Sequence, residues 1–329
     1  MNSGSSPAIQ QNEATPQPEW RRQVERWRAL LAQCAVKPSR KRVHVLRSLT
    51  ARLRVTLQYR LRDEAPDAAS VHAFKRWKSH AKKLRRALQP VRDADVFLAR
   101  LERLSNAVEA QAAGTSRFGP YCRQEIVELQ AGLKKQRQKS IERLTEVLRE
   151  RGEKLNRLST EMEAALTPRI PAETVSAAPA ALRVFAKLAA EFPALDSARL
   201  HEYRKRLKKA LYLGEISAAS DPLAGQLTTS FKKICLAAGE WHDWQVLAQE
   251  ASRVLAGESR SRRERQDGLV PELESLAEAA LKRALGLSRR STPRLLKAAG
   301  AILPAARRKL VAPVPAGPDR DEYPSVNPL

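Results

Sequence analysis

The chain has 329 residues, with 60 Lys and Arg against 36 Asp and Glu, which gives a formal net charge of +24 at pH 7. Such an excess excludes an ordinary metabolic-enzyme profile and indicates a polyanionic partner or surface. Hydrophobic residues make up 43% of the chain, which disfavours wholesale disorder, and glycine occurs only 13 times. Because Leu, Ala, Arg, Lys and Glu dominate, the composition favours an all-α fold.

Helical periodicity recurs along the chain, whereas alternating runs typical of β-strands do not occur. The breaks between periodic segments are placed where Pro or Gly interrupts the pattern. The predicted helices span 20–34, 41–62, 70–89, 92–112, 121–166, 179–191, 197–217, 223–240, 243–257, 270–287 and 293–309.

The three cysteines and the N-terminal segment indicate the cellular compartment in which the protein is expected. Cys34, Cys122 and Cys235 are far apart and form no C-x-x-C pair, so neither a disulfide framework nor a zinc site has support. Residues 1–19 lack a basic region followed by an apolar run, and no stretch of 18 apolar residues occurs, which disfavours export and membrane spanning. We therefore expect a cytoplasmic protein with no metal, cofactor or membrane partner, and the sequence leaves its oligomeric state open.

Two landmarks occur twice in the same order and indicate an internal duplication. Val43-His44 is matched by Leu200-His201, with the histidines 157 positions apart, and Arg92-Asp93 is matched by His242-Asp243, 150 positions apart. In the predicted elements both Asp93 and Asp243 open helices, where a carboxylate is favourable.

A composition shift to Pro, Ala and Ser around 167–180 separates the two halves. The ends of the chain are rich in Ser, Pro and Gln at one side and in Pro at the other, which is typical of disordered tails. The predicted organisation is a tail over 1–19, a helical domain over 20–310 with halves of about 40–166 and 179–310, and a tail over 311–329.

Basic and apolar residues occupy different faces of the helices that begin near His44 and His201. At 100° per residue, Arg47 and Arg54 fall with His44 within an arc of about 80°, and Arg204 and Lys208 group with His201 in the same way. Cationic side chains at one-turn spacing form a row of donors about 5 Å apart, which suits a chain of phosphates. A solvated helix face explains a single such stripe, but its recurrence in both halves favours a binding role.

The helix that follows in the first half repeats the pattern. Lys75, Lys82, Lys83 and Arg86 lie on one side of the segment 70–89, and its apolar residues lie on another. The counterpart in the second half, around Lys232, is shorter and less charged.

Four motifs resemble the CHAD family, the conserved histidine α-helical domains. They are V-H-x-x-R-x-x-x-x-R-x-R at 43–54, A-L-Q-P-V-R-D-A-D-V-F-L at 87–98, L-H-E-Y-R-K-R-L-K-K-A-L-Y at 200–212 and A-A-G-E-W-H-D-W-Q-V-L at 237–247. The likeness covers about 40–310 and implies two pseudo-symmetric four-helix bundles around a basic central cavity that binds inorganic polyphosphate. The chain departs from the family pattern at Ala51 and Leu211, where basic residues are expected, and at Gln89, where a glycine is expected.

The resemblance and the helical faces together give one set of predicted ligands. The family's first basic helix corresponds to His44, Arg47, Arg52 and Arg54, and its second to His201, Arg204, Lys208 and Lys209. The helical faces add the others. The full predicted polyphosphate-binding set is His44, Arg47, Arg52, Arg54, Lys75, Lys82, Lys83, Arg86, His201, Arg204, Lys208, Lys209 and Lys232.

Three functions compete at this stage. Non-catalytic binding of inorganic polyphosphate, with the protein associated with polyphosphate granules, is the favoured one. A nucleic-acid-binding or nucleoid-associated protein fits the charge, but the sequence has no helix-turn-helix, zinc finger or RNA-binding motif and few aromatics. A polyphosphate-processing enzyme with a catalytic histidine fits less well, because no P-loop, acidic metal cluster or G-x-S-x-G occurs. We therefore expect no enzymatic activity and only weaker binding of nucleic acid.

Overall fold

Eight α-helices provide all the regular secondary structure of the residues that the computed structural model describes, which are 18–63, 67–111, 122–168, 177–191, 197–218, 221–255 and 268–307. The all-α prediction is confirmed for this part of the chain. Except for Pro18 and Glu19, the predicted tails lie outside the described residues. The helices are α1 (Glu19–Val36), α2 (Arg40–Asp63), α3 (Ala68–Gln111), α4 (Cys122–Leu166), α5 (Ala178–Glu191), α6 (Ser197–Ser217), α7 (Pro222–Leu255) and α8 (Leu269–Arg307).

Three predicted breaks are wrong, because α3, α7 and α8 each join two predicted helices into one. In α3 the helix continues through Pro90, which is exposed, while Leu88 and Val91 on either side are fully buried. A proline inside a helix costs about 3 kcal/mol, and burying two large apolar side chains contributes about as much or more. Asp93 and Asp243 consequently lie in the middle of α3 and α7, so the prediction that they open helices is also wrong.

Short polar side chains set the beginnings of several helices. Asp67 accepts a hydrogen bond from the Ser70 amide at 2.7 Å before α3, and Asp221 accepts one from the Leu223 amide at 2.9 Å before α7. These caps satisfy amides that have no partner within the first turn. They explain why the predicted and observed starts of these helices agree to within two residues.

A first hydrophobic core joins α1, α2, the N-terminal half of α3 and the C-terminal half of α4. At its centre the rings of Trp27 and Trp77 pack edge to face, with centroids 5.7 Å apart. The Trp27 indole N–H donates to the Thr50 hydroxyl at 2.8 Å, so the polar atom of this buried ring is satisfied.

A second core joins α5, α6, α7 and α8 with the C-terminal half of α3 and the N-terminal half of α4. Leu101 of α3 and Ile126 of α4 are buried in it. The predicted halves therefore share their cores through these two long helices. Between the cores, α2 packs on α3 and α6, and α7 packs on α3 and α6, which places four polar helix faces next to one another.

Candidate functional site

Asp243 of α7 anchors two arginines of α3 where these helices pack. Its Oδ1 accepts a hydrogen bond from Arg92 Nη1 at 3.0 Å, and its Oδ2 accepts from Nη2 of Arg92 and of Arg100, each at 3.3 Å. Burial raises the pKa of this carboxyl, but the charges of Arg92 and Arg100 outweigh the burial and hold the pKa below its ordinary value. Asp243 is therefore an ionised group that fixes the two guanidinium groups in place.

Gln89 connects the same group to α2. Its Oε1 accepts from Arg47 Nε at 2.7 Å, and its Nε2 donates to Asp93 Oδ2 at 2.6 Å. Asp93 Oδ1 in turn accepts from Arg92 Nη1 at 2.9 Å. A glycine at position 89 could not make either contact, so the departure from the family pattern at this position gives Arg47 a fixed neighbour.

Arg47 of α2 and Lys208 of α6 lie in a partly buried group of like charges. Burial, together with the charges of Arg204 and Arg47, lowers the pKa of Lys208 to about 7. Burial also lowers the pKa of Arg47 to about 10, assisted by Arg92 and Arg85. The basic faces of α2 and α6 thus meet. We call Arg47, Arg85, Arg92, Arg204 and Lys208 the central cluster.

Several nitrogens of the central cluster lack a protein partner. The Nε atoms of Arg85, Arg92 and Arg204 are buried, and none donates a hydrogen bond to any described residue. Buried guanidinium donors are costly when they are left unsatisfied. Because Asp93 and Asp243 already accept from arginines, additional anionic oxygens would complete the coordination of this cluster.

Three histidines border the central cluster and are neutral at neutral pH. The rings of His201 and His242 have centroids 5.0 Å apart. Burial and the charge of Arg204 lower the pKa of His242 to about 3. Partial burial lowers the pKa of His44 as well, and Arg92 and Arg47 add to this effect, although the residue remains exposed to solvent. At neutral pH these rings supply N–H donors rather than positive charge.

Arg52 forms an ion pair with Glu215 that compensates its charge. Its Nε and Nη2 donate to the two carboxylate oxygens of Glu215 on α6 at 2.6 and 3.1 Å. Its guanidinium also lies 5.5 Å from the centroid of the Tyr212 ring. Arg52 therefore links α2 to α6, and its charge is already compensated.

The remaining predicted ligands occupy varied positions. Arg54 and Lys82 are partly buried. Arg54 follows Arg47 by seven positions on α2, and Lys82 precedes Gln89 by seven positions on α3, so each shares the helix face of that residue. Lys83 lies next to His80, where Arg151 and Lys154 of α4 also act on that ring, and not in the central cluster. The exposed members of the predicted set are His44, Lys75, Lys83, Arg86, Lys209 and Lys232.

The sequence analysis missed Arg85, Arg92 and His242 as members of the site. Arg92 and His242 were assigned to helix starts, where their side chains would have been solvated. The available signal was the spacing of seven between Arg85 and Arg92, which places both on one face of a continuous helix. This spacing is informative only if α3 is one continuous helix through Pro90.

Within residues 18–63, 67–111, 122–168, 177–191, 197–218, 221–255 and 268–307, no group of three or more His, Cys, Asp or Glu side chains is arranged to hold a metal ion. None of the helices in this same part of the chain combines the length and apolar character needed to cross a membrane.

Comparison with known proteins defines the class of this protein. The family model of the CHAD domain matches residues 19–220, so the chain belongs to the CHAD family. This match includes the motifs at 43–54, 87–98 and 200–212, whereas the motif at 237–247 follows it.

A solved structure with a similar fold is PptA from Streptomyces chartreusis, which is 16% identical to this chain. The alignment covers 85% of this chain and 100% of that chain, with a TM-score of 0.50. At this identity the likeness concerns the fold alone. A search of curated proteins finds no match.

Proposed function

We propose that this protein binds inorganic polyphosphate, without cleaving it, through the central cluster. The observation that carries the proposal is the set of buried arginine Nε atoms without partners, in Arg85, Arg92 and Arg204. Lys208, with its pKa lowered to about 7, lies in the same group. Anionic oxygens would satisfy these donors and offset the repulsion between the cations. Membership of the CHAD family supports the same ligand.

The placement of the cluster favours polyphosphate over nucleic acid. Its members come from α2, α3 and α6, and His242 of α7 borders them, so a ligand has to reach between packed helices. Polyphosphate presents a charge at every repeat and has no side groups, whereas each phosphate of a nucleic acid brings a sugar and a base. Trp241 and Trp244 are buried, so they offer no platform on which bases could stack.

The proposal includes the finer architecture implied by the family. The basic faces of α2 and α6 would be equivalent walls of one channel between two pseudo-symmetric bundles. The neighbouring charges of Arg47 and Lys208, one from each helix, support this arrangement. Exposed cations of the predicted set, such as Lys75 and Lys209, would then contact phosphates that extend beyond the channel.

The lowered pKa values of the three histidines are explained most simply by a binding role without turnover. His44, His201 and His242 have lowered pKa values beside fixed cations, which suits N–H donors that hold phosphate oxygens. A phosphate-release assay with added magnesium tests this part. Turnover that is lost in His44→Ala or His201→Ala would establish an enzyme instead, and stable binding without release supports the proposal.

Charge reversal provides the direct test of the site. In Arg47→Glu/Arg204→Glu the central cluster loses two cations, and affinity for long-chain polyphosphate should fall by at least about a hundredfold. The matched control is Lys135→Glu/Arg143→Glu, which changes the net charge equally at exposed positions of α4. Equal losses in both variants would show that binding depends on overall charge and would contradict the proposed site.

Ligand binding in the cell would recruit the protein to polyphosphate granules. A fluorescent fusion of the full chain should colocalise with granules stained for polyphosphate. The fusion that carries Arg47→Glu/Arg204→Glu should be dispersed. A central-cluster variant that still colocalises would separate granule targeting from this site.

A further inference from the structure

Arg52, Tyr212 and Glu215 join α2 to α6 across one side of the central cluster. The Arg52 guanidinium donates two hydrogen bonds to the Glu215 carboxylate, at 2.6 and 3.1 Å, and lies 5.5 Å from the centroid of the Tyr212 ring. Two parallel hydrogen bonds hold a guanidinium and a carboxylate in a fixed geometry. We call these three residues the barrier.

The barrier lies next to the central cluster, towards the C-terminal ends of α2 and α6. Arg52 follows Arg47 by five residues, which is about 7.5 Å along the axis of α2. On α6, Tyr212 follows Lys208 by one helical turn. The charge of Arg85, a member of the cluster, acts on both Arg47 and Tyr212. A ligand that occupies the cluster therefore has the barrier directly beside it.

Helix α1 closes the space behind the barrier. Trp20 and Gln23 of α1 line a cavity there together with the barrier, and its volume is about 20 Å³, which is room for about one water molecule. Glu19 also lines this cavity and, with Glu215, presents a second carboxylate to it. Arg60 lines it as well, but this residue is only 5% exposed and its Nε and Nη1 are buried. A phosphate chain therefore has neither the room nor the favourable charge to continue past the barrier.

The opposite side of the central cluster faces solvent. His44 lies about one turn before Arg47 on α2 and is exposed, and Arg40 lies one further turn towards the N-terminus and is exposed too. On α6, His201 is partly exposed. The charges of Arg40, Arg47 and Lys208 all act on His44. A chain of phosphates can therefore enter beside His44 and advance towards the barrier.

We propose that the central cluster holds polyphosphate by a chain end, with the terminal phosphate group against the barrier and the rest of the chain leaving beside His44. This inference rests on the proposed function and names the part of the polymer that the site takes. A terminal phosphate group has one more ionisable oxygen than an internal unit, so it carries about two negative charges at neutral pH. This extra charge matches the cations on the barrier side of the cluster, Arg47, Arg85 and Lys208.

The test counts the copies of the protein that one polyphosphate chain carries. The full chain is added in excess to linear polyphosphate of a short and of a long length class, and light scattering gives the mass of each complex. The ionic strength is one at which Arg47→Glu/Arg204→Glu does not bind, so that contacts outside the cluster do not contribute. End binding predicts at most two copies per chain at both lengths, one for each end.

The two ways in which this test can fail are distinguishable. A number of copies that grows with chain length would overturn end binding and leave the proposed function intact. An absence of polyphosphate binding, or binding that Arg47→Glu/Arg204→Glu retains at every ionic strength, would contradict the proposed function itself.

Blocked chain ends provide an independent measurement. Chains whose terminal groups are converted to phosphoramidates keep their internal phosphates and nearly all of their charge. They should bind at least about tenfold more weakly than unblocked chains of the same length, and linear tripolyphosphate, which has two ends, should displace the unblocked chains. Equal affinity of blocked and unblocked chains would overturn end binding.

The variant Trp20→Ala/Arg52→Ala/Glu215→Ala removes the ion pair of the barrier and the ring behind it. It should let a long chain pass and carry more than two copies. The matched control Glu278→Ala/Lys282→Ala removes an exposed ion pair of α8 and should leave the number at two. A triple variant that folds, as judged by circular dichroism, and still stops at two copies would overturn the assignment of the barrier to these residues. If the triple variant does not fold, the blocked chains decide the proposal.

Discussion

Replacing Lys208 by Met should stabilise the protein in the absence of ligand. Within the central cluster the pKa of Lys208 falls from its ordinary value of 10.5 to about 7. At about 1.4 kcal/mol for each pH unit, this sets an upper bound of about 5 kcal/mol on the cost of the charged form. Replacement of buried charges by apolar side chains is commonly stabilising by about 1–4 kcal/mol, and we expect the gain for Lys208→Met at pH 6 to lie in that range.

The pH dependence of this gain follows from the same shift. Because the pKa is lower in the folded state, the unfolded state binds more protons between about pH 7 and 10.5, and the stability of the wild type rises with pH across that window. The difference between Lys208→Met and the wild type should therefore be full below about pH 7 and shrink towards pH 10. Lys208→Met should also bind polyphosphate more weakly.

Urea denaturation of both proteins at pH 6, 8 and 9.5, without polyphosphate, measures this difference in the free energy of unfolding. Exposed Lys135→Met in α4 is the control and should change it little at any pH. A Lys208→Met variant that is less stable than the wild type at pH 6, or whose gain does not change with pH, would refute the reasoning.

Three further predictions concern the partners of the cluster. Asp243→Asn removes the carboxylate shared by Arg92 and Arg100 and should lower the free energy of unfolding by about 3–5 kcal/mol in urea denaturation; a loss below about 1 kcal/mol would contradict the anchoring role. Arg52→Met removes the contacts with Glu215 and Tyr212 and should cost about 1–2 kcal/mol in the same assay while leaving polyphosphate affinity unchanged; a large loss of affinity would restore Arg52 to the ligand set. Polyphosphate favours the protonated form of Lys208, so the affinity of the wild type should fall between pH 7 and 9 by at most about tenfold per pH unit. Binding titrations at several pH values should therefore give different slopes of log affinity against pH for the wild type and for Lys208→Met. Equal slopes would exclude Lys208 as the proton acceptor.

Much of the helical pattern could be predicted from local sequence. Helix α6 has the predicted bounds of 197–217, and α4 extends over Cys122–Leu166 against a predicted 121–166. In α4 the regular leucine spacing continues past Gly152, where an added Cβ would meet nothing within 4 Å. Periodicity over many turns is a stronger indicator than one unfavourable residue, since each buried position adds to the same helix face.

The continuation of α3 through Pro90 could not be read from local signals. The proline is tolerated because Leu88 and Val91 are buried in the first core, and this burial depends on helices far away in the sequence. For the same reason the role of Arg92 could not be predicted, because its side chain contacts Asp243 only if α3 does not end at Pro90. Tertiary packing, and not helix propensity, decides such positions.

The basic faces could be predicted, but the pairing of individual charges could not. A helical wheel groups Arg47 and Arg54 on α2 and Arg204 and Lys208 on α6, and the charge of Arg204 does act on Lys208. It cannot show that Glu215 compensates Arg52, because that contact joins residues 163 positions apart. The joint action of Lys83 and of Lys154 from α4 on His80 likewise depends on which helix packs against that face.

A salt-resolved competition titration tests the central claim most directly. The full chain is titrated with long-chain polyphosphate at several salt concentrations, and a DNA duplex and an RNA strand at matched phosphate concentration serve as competitors. The account predicts tight binding that weakens with salt but persists at physiological ionic strength, is displaced poorly by either nucleic acid, and is lost in Arg47→Glu/Arg204→Glu but not in Lys135→Glu/Arg143→Glu. Equal displacement by all three polymers would show that the charge of +24 acts as a general polyanion surface, and would contradict the account.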